Sequence, residues 1–365
     1  MNNPLRVLCV NGESDPAETG SFIEMHKSGI DIKVITWPDT FNYDALVAAG
    51  VPTIPYVLKG KISRPCIRMI RRELQSRKYD ILHMLDKRAT MNGLFASIGM
   101  NIKLVAYRGI VGNLSYTSPQ SWFYLLNPRI DRIICVCEAI RKNLLQLGMP
   151  GIRMRRDVPV TIHKGHNPDW YVAPFEDLQQ FGIPENTFVV ACTARGVRRK
   201  GIPVLLEAIN RLPAGLDIHF LLAGTYMDKP EYQKLVAANQ YASNIHLFGF
   251  LKRMPWILPN CDVSVLPSLR REGLPRGIIE AMIGGAVPIV TDSGGSPELV
   301  IEGESGFVVP PGEPQPITDR ILTLYNDREL HQRMSVAAQE RIRTDFTVEE
   351  TARQTIELYR QLVPE

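Results

Sequence analysis

At 365 residues, with 45% hydrophobic and 22% charged side chains, the chain is too long for one ordinary domain and has the composition of a globular protein rather than a disordered or fibrous one. Its formal net charge of +4 is unevenly divided: residues 1–170 carry 23 Lys and Arg against 14 Asp and Glu, the remainder 19 against 24. No apolar run approaches the ~20 residues of a membrane helix, no short repeat or low-complexity tract occurs, and the six cysteines follow neither a zinc spacing nor C-x-x-C. Buried reduced thiols and a cytoplasmic setting are expected.

The N-terminal MNNPLRVLCVNG enters a strand directly, without the long apolar core of a signal peptide. In the first half, strands are predicted at 6–10, 32–36, 53–58, 81–85, 103–107, 132–136 and 159–163, and helices near 18–28, 65–78, 90–99, 118–126 and 138–147. The basic segment 61–78 sets Arg64, Arg68, Arg71, Arg72, Arg77 and Lys78 around a stripe of Ile67, Ile70 and Leu74. A solvated helix face is one reading; an anionic membrane surface carrying a lipid-linked acceptor is the other. Nucleic acid is not expected, because no base-stacking or groove-reading motif accompanies the charge.

Between His163 and Ile183, Gly, Pro, Asn and aromatic residues interrupt the pattern. Strands follow at 187–194, 217–224, 244–248, 262–267, 287–292 and 306–310, and two helical patterns, 316–343 and 347–362, close the chain. This alternation predicts an α/β protein of two Rossmann-like domains, 1–170 and 171–345, facing a central cleft. Such sheets bind ligands beyond the carboxyl ends of their strands. Residues 346–365 form a last helix that can cross back onto the first domain.

Within the second half, Glu272 and Glu280 bracket a helix start that follows the apolar strand DVSVL. Gly273, Leu274 and Pro275 lead into that helix, with Pro in a first turn where its missing N–H costs nothing. The uncapped N–H groups and the helix dipole then favour an anion. Glu280 shares a face with Gly277, Ala281 and Gly284, about 8 Å of helix rise beyond Pro275. A carboxylate at that offset can hold ribose hydroxyls while phosphates lie at the helix start. Each glutamate alone reads more simply as a solvated charge. A second turn, Arg195 to Gly201, gathers Arg195, Arg198, Arg199 and Lys200 after the strand 187–194. Two anion-favouring turns at one sheet edge point to a sugar joined to a diphosphate.

ARGVRRKGIPVLLEAI followed by PSLRREGLPRGIIEAMIGGAVPIVTDSGGSPELV resembles glycosyltransferase family 4, retaining nucleotide-sugar transferases of the GT-B fold. The resemblance is strong over about 187–312 and weaker elsewhere. It implies that Arg195 and Lys200 bind the donor diphosphate. Glu272, with the backbone of Gly273, Leu274 and Pro275, would contact the transferred sugar and phosphates, and Glu280 the ribose. Gly224, Phe250, Leu251 and Lys252 would line the base pocket.

The first domain departs from the family pattern. NGESDPAETGSF stands where a Gly-Gly loop is usual, leaving Gly12 and Gly20 as candidates for close approach to phosphate or acceptor. Arg108-Gly109 replaces the usual His-Gly; arginine cannot act as a base, but it can stabilise an oxyanion or bind an acidic acceptor. Lys164 takes the usual Asn position, and His83, Asp86, His163 and His166 are further cleft candidates.

The reaction implied is transfer with retention at the anomeric carbon, the leaving diphosphate taking the acceptor proton. Catalysis is then electrostatic, with no Asp-x-Asp metal motif and no obligatory cofactor beyond the nucleotide-diphosphate sugar as co-substrate. The acceptor expected is a glycan or lipid-linked sugar of cell-surface polysaccharide or lipopolysaccharide synthesis, met at the inner face of the cell membrane. A nucleotide-sugar 2-epimerase and a non-catalytic GT-B binding subunit share the architecture. Oxidoreduction is not expected, since neither half opens with G-x-G-x-x-G.

Overall fold

The structure is a computed structural model that describes residues 4–149, 151–171 and 176–363. It separates into two compact units, Met1–Asn167 with Phe346–Glu365, and Pro168–Asp345. The first contains β1 (Arg6–Val10), α1 (Pro16–Lys27), β2 (Asp31–Thr36), α2 (Phe41–Ala48), β3 (Thr53–Pro55), α3 (Arg64–Ser76), β4 (Ile81–Met84), α4 (Lys87–Ala96), β5 (Lys103–Arg108), α5 (Pro119–Trp122), β6 (Arg132–Cys135), α6 (Glu138–Gln146), the short hairpin β7 (Gly148–Met149) and β8 (Ile152–Arg153), and β9 (Pro159–Thr161). The second contains β10 (Phe188–Thr193), α7 (Ile202–Asn210), β11 (Ile218–Ala223), α8 (Pro230–Ala237), β12 (Ile245–Phe248), α9 (Met254–Ile257), β13 (Val263–Leu266), α10 (Arg276–Gly284), β14 (Val287–Thr291), β15 (Phe307–Val309), α11 (Pro314–Asn326) and α12 (Arg328–Asp345). The last helix, α13 (Val348–Leu362), returns to the first unit.

Each unit is built on a parallel sheet, ordered β3-β2-β1-β4-β5-β6-β9 in the first and β12-β11-β10-β13-β14-β15 in the second. Val7–Val10 is apolar throughout and buried, and Val263–Leu266 is buried with Ser264 as its one polar residue, as sheets covered by helices on both faces require. In each sheet the order reverses beside the unit's first strand, between β1 and β4 and between β10 and β13. Crevices open at such switch points, beyond the carboxyl ends of the strands.

Several elements differ from the sequence expectation. Helices α2 and α8 were not predicted: both are eight residues long and each buries a single side chain, Leu46 and Tyr232, too little for a helical period to register. The predicted 118–126 helix is helical only over Pro119–Trp122. The predicted 316–343 helix is two helices, because the Asp327 carboxylate accepts the Leu330 N–H at 2.8 Å and starts α12 afresh. All six cysteines are free and buried.

The apolar stripe of α3 is spent on the core: Cys66, Ile70 and Leu74 are buried. Arg71 donates to the Ala96 and Ile98 carbonyls, and Arg77, just past the helix, pairs with Asp31 at 2.9 Å. Arg64, Arg68, Arg72 and Lys78 are left exposed. Among the described residues no helix is long and apolar enough to cross a membrane.

Candidate active site

The candidate donor residues lie at the carboxyl edge of the second sheet, around its switch point. A cavity of about 310 Å³ is lined by Thr193 and Arg195 after β10, Gly224 and Thr225 after β11, Phe250, Leu251 and Lys252 after β12, and Arg276 and Glu280 of α10. Six of the residues singled out from sequence, Arg195, Gly224, Phe250, Leu251, Lys252 and Glu280, therefore share one wall-to-wall space. Glu280 is only 5% exposed, and its Oε1 accepts from Arg276 Nε at 2.5 Å. Phe250 is 73% exposed, with a ring free to cover a planar ligand. The Thr193 hydroxyl is buried with no hydrogen-bond partner among the described residues, a group a ligand can satisfy.

Beside this cavity stands a second cluster. Glu272, also 5% exposed, receives Lys200 Nζ at 2.7 Å and the Ser268 hydroxyl at 2.6 Å, with Arg199 Nη1 at 3.6 Å. Lys200 and Glu272 are thus paired with each other. These donors hold the buried carboxylate, and the carboxylate in turn fixes the Lys200 ammonium in position. Gly273, Leu274 and Pro275 bridge the clusters. Pro275 is the residue before the first turn of α10, one position earlier than expected, and its side chain offers no oxygen to cap the helix N–H groups.

The turns are held backbone to backbone. Gly201 has φ +69°, and a Cβ there would sit 1.9 Å from the Pro267 carbonyl oxygen; at Gly294, with φ +64°, it would sit 2.1 Å from that of Glu272. Only glycine fits both the left-handed conformation and the contact. The turns carrying Lys200 and Glu272 are locked together by these approaches.

In the first unit the candidate residues are already engaged. The buried Gly12 N–H donates to Asp86 Oδ2 at 2.6 Å, and its carbonyl accepts from Thr36 Oγ1 at 2.6 Å. Asp86 caps α4 through the Ala89 N–H at 2.8 Å. Gly20 lies inside α1, not in a loop. Asp15 and Glu18 form a capping box at the start of α1. Lys164 bridges Asp15 and, at 2.9 Å, Glu18. Burial raises the Glu18 carboxyl, against the pull of Lys164, whereas at Asp15 the lysine's charge and hydrogen bond overcome burial and hold the carboxyl low. The dipole of α1 is therefore already answered by side chains of the chain itself.

His83 is buried in β4, its Nδ1 2.6 Å from Tyr359 Oη, and burial pushes its pKa down to about 3. The His166 N–H donates to the Phe346 carbonyl at 2.7 Å, and the His163 ring packs edge-on against Phe346. Arg108, buried at the end of β5, donates to the Gly112 carbonyl and lies 6.0 Å from the Tyr124 ring; Gly109 beside it is exposed. Among the described residues no group of three or more His, Cys, Asp or Glu is placed to hold a metal ion.

Sequence reasoning passed over Arg276, Thr193 and Thr225. Arg276 had a signal: it opens α10 four residues before Glu280, the spacing at which helical side chains meet.

Residues 175–341 match the family of glycosyl transferases group 1, and residues 23–156 match Glycosyltransferase Family 4. The chain belongs to glycosyltransferase family 4. Among relatives, alpha-D-kanosaminyltransferase of Streptomyces kanamyceticus is 25% identical over 217 residues, 59% of this chain and 56% of that one. The N,N'-diacetylbacillosaminyl-diphospho-undecaprenol alpha-1,3-N-acetylgalactosaminyltransferase of Campylobacter jejuni is 26% identical over 176 residues, 48% of this chain and 45% of that one. The matches thus span about half the length of these curated relatives. Anabaena HepE, solved in complex with UDP-glucose, superposes with a TM-score of 0.78 at 22% identity, covering 97% of this chain and 99% of that one. The family 4 chain accordingly has the GT-B type of α/β fold, with one parallel sheet in each unit.

Proposed function

We propose that this chain is a retaining glycosyltransferase that moves a sugar from a nucleoside-diphosphate donor to a glycan or lipid-linked acceptor in cell-surface polysaccharide or lipopolysaccharide assembly. The observation that carries the reading is the convergence of Arg195, Arg276, Glu280 and the unpartnered Thr193 hydroxyl on one cavity, with the Lys200–Glu272 pair beside it. The cavity suits the nucleoside: Glu280 accepts from ribose hydroxyls, and Phe250, Leu251 and Lys252 flank the base. The diphosphate lies toward Arg195, Lys200 and the uncapped start of α10.

In the reaction the bond from the anomeric carbon to the β-phosphate oxygen breaks, and the acceptor oxygen bonds that carbon on the same face. The acceptor hydroxyl proton passes to the departing phosphate. Arg195 and Lys200 stabilise the charge that develops on the leaving group, the role in which a fixed donor is worth roughly 10²–10³ in kcat. Glu272 holds Lys200 in place and contacts the sugar. Arg108 is assigned to an acidic acceptor group, a role that requires it to leave the Gly112 carbonyl.

The acceptor side draws on the exposed Lys59, Lys61, Arg64, Arg68 and Arg72, with half-exposed Ile62 among them, a basic surface matched to anionic lipid. Co-sedimentation with vesicles of anionic lipid, absent with neutral lipid and reduced by salt, is the expected result.

Thermal-shift screening against UDP-, GDP-, ADP- and CMP-sugars identifies the donor. Free nucleotide and a product of retained anomeric configuration are then expected. Solvent deuterium in the sugar would mark an epimerase instead, and donor binding with neither hydrolysis nor transfer a binding subunit. Lys200→Ala should lower turnover on the order of 10²–10³-fold. Glu280→Ala, which removes hydrogen bonds to a charged group worth about 1.5–3 kcal/mol, should raise the donor KM about 10–100-fold. Wild-type kinetics in either variant would sink the assignment.

A further inference from the structure

A second cavity, of about 390 Å³, opens at the same sheet edge and is lined by Arg198, Arg199, Leu269 and Arg270. None of these residues lines the donor cavity. Arg198 and Arg270 are exposed and Arg199 is half-buried, so three guanidinium groups border one open space with a single leucine among them, a concentration of positive charge that favours an anion. Only Arg199 is near a carboxylate, Glu272 at 3.6 Å, and that carboxylate is already held more closely by Lys200 at 2.7 Å. Among the described residues, neither Arg198 nor Arg270 is paired with an acidic side chain.

The arrangement is built rather than incidental. The Leu269 N–H donates to the Arg199 carbonyl at 2.8 Å, and the close approach of Gly201 to Pro267 clamps the same two turns. Arg271, next in the chain, takes a left-handed φ of +66°, a conformation rarely adopted by a side chain of that size. Two rigid turns therefore present arginines from both sides of one space. Guanidinium forks match the oxygens of phosphate and similar oxyanions, while Leu269 supplies an apolar floor.

We propose that Arg198, Arg199 and Arg270 form a subsite for a phosphate-type oxyanion, separate from the donor diphosphate, and that the group it receives is carried by the acceptor. The second clause rests on the transfer reaction proposed above; the anion site does not. Arg199, reaching both this cavity and Glu272, sets the bound oxyanion next to the Lys200–Glu272 pair where the sugar is handed over.

Calorimetric titration of the full chain with inorganic phosphate, alone and with the donor nucleotide at saturation, tests the site. Phosphate should bind in both conditions. The double variant Arg198→Gln, Arg270→Gln should weaken it tenfold or more while leaving nucleotide affinity within twofold. Arg195→Gln should do the reverse. With a phosphorylated acceptor the double variant should raise the acceptor KM at least tenfold, with kcat, donor hydrolysis and the KM of an unphosphorylated acceptor unchanged. That result assigns the oxyanion to the acceptor; equal effects on both acceptors assign the site to free phosphate and overturn the second clause. Phosphate that fails to bind, binds the double variant as tightly as the wild type, or competes with the nucleotide overturns the site. Phosphate binding that depends on Arg198 and Arg270 in a chain turning over no nucleotide sugar supports the site while removing the transferase reading.

Discussion

The His83 imidazole meets Tyr359 Oη through Nδ1, whereas its Nε2 is buried with no partner among the described residues. Protonation would place a charge where nothing answers it, so burial holds the pKa near 3. In the unfolded chain the same group titrates near 6.5. Between those values the unfolded state binds the extra proton, so stability falls as pH drops from about 6.5 toward 3 and is unaffected by this group above 6.5. The slope contributed is up to about 1.4 kcal/mol per pH unit. Urea denaturation at pH 7.5, 6 and 5 should show a steeper loss for wild type than for His83→Asn; equal slopes would mean that another group carries the acid sensitivity. As a residue of ILHML, His83 offered no sign of this role, since its partner lies 276 positions away. Glu280 was legible because its surroundings are local: helix spacing alone aims it at the sheet edge.

The loop after β1 and the start of α4 are joined by one side chain. Asp86 accepts from Gly12 N–H with one oxygen and from Ala89 N–H with the other, so a carboxylate that read as a cleft candidate is a cap and a tether. Asp86→Ala loses a helix cap, about 1 kcal/mol, and strands a buried N–H, about 1–3 kcal/mol; a loss of roughly 2–4 kcal/mol in chemical denaturation is expected. Asp86→Asn keeps one acceptor but turns an NH₂ toward the other donor, so about half that loss should follow. If Asp86 instead acted on the substrate, both variants would lose turnover at unchanged stability. The sequence shows Asp86 directly after a predicted strand, but not that Gly12 stands opposite, because the pairing of β1 with β4 decides it. The boundary at Asp327 was missed within the 316–343 pattern, although Asp followed by Arg-Glu-Leu is an ordinary helix start.

At the scale of the molecule, the C-terminal helix completes the first unit. Ala352, Ile356, Leu358, Tyr359 and Leu362 of α13 join the core formed by Val7, Phe22, Met25 and Ile32, and Gly165 N–H donates to Thr351 Oγ1 at 2.8 Å where the two crossing segments meet. Burying a large apolar side chain is worth about 1.5–3 kcal/mol, so the helix contributes on the order of 10 kcal/mol, comparable with the whole stability of a domain. Truncation after Asp345 should therefore abolish amide protection in β1, β4 and β5 while β10, β11 and β13 keep theirs in hydrogen exchange. Protection retained in both sheets would show that the first unit stands without α13.

The sequence by itself determined the alternation of strand and helix, the parallel sheets and six of the residues that line the cavity of the second unit, because each depends on spacing within a few turns of chain: buried strands are mostly apolar, and Glu280 lies on a helix whose start is one turn before it. Only the tertiary structure decided that Lys200 and Glu272 neutralise each other, that Arg276 completes the cavity, and that Asp86, Lys164 and His83 are committed to the scaffold of the first unit. Those outcomes turn on contacts between segments far apart in the chain, where a charge is quenched or left open by whatever the fold sets beside it.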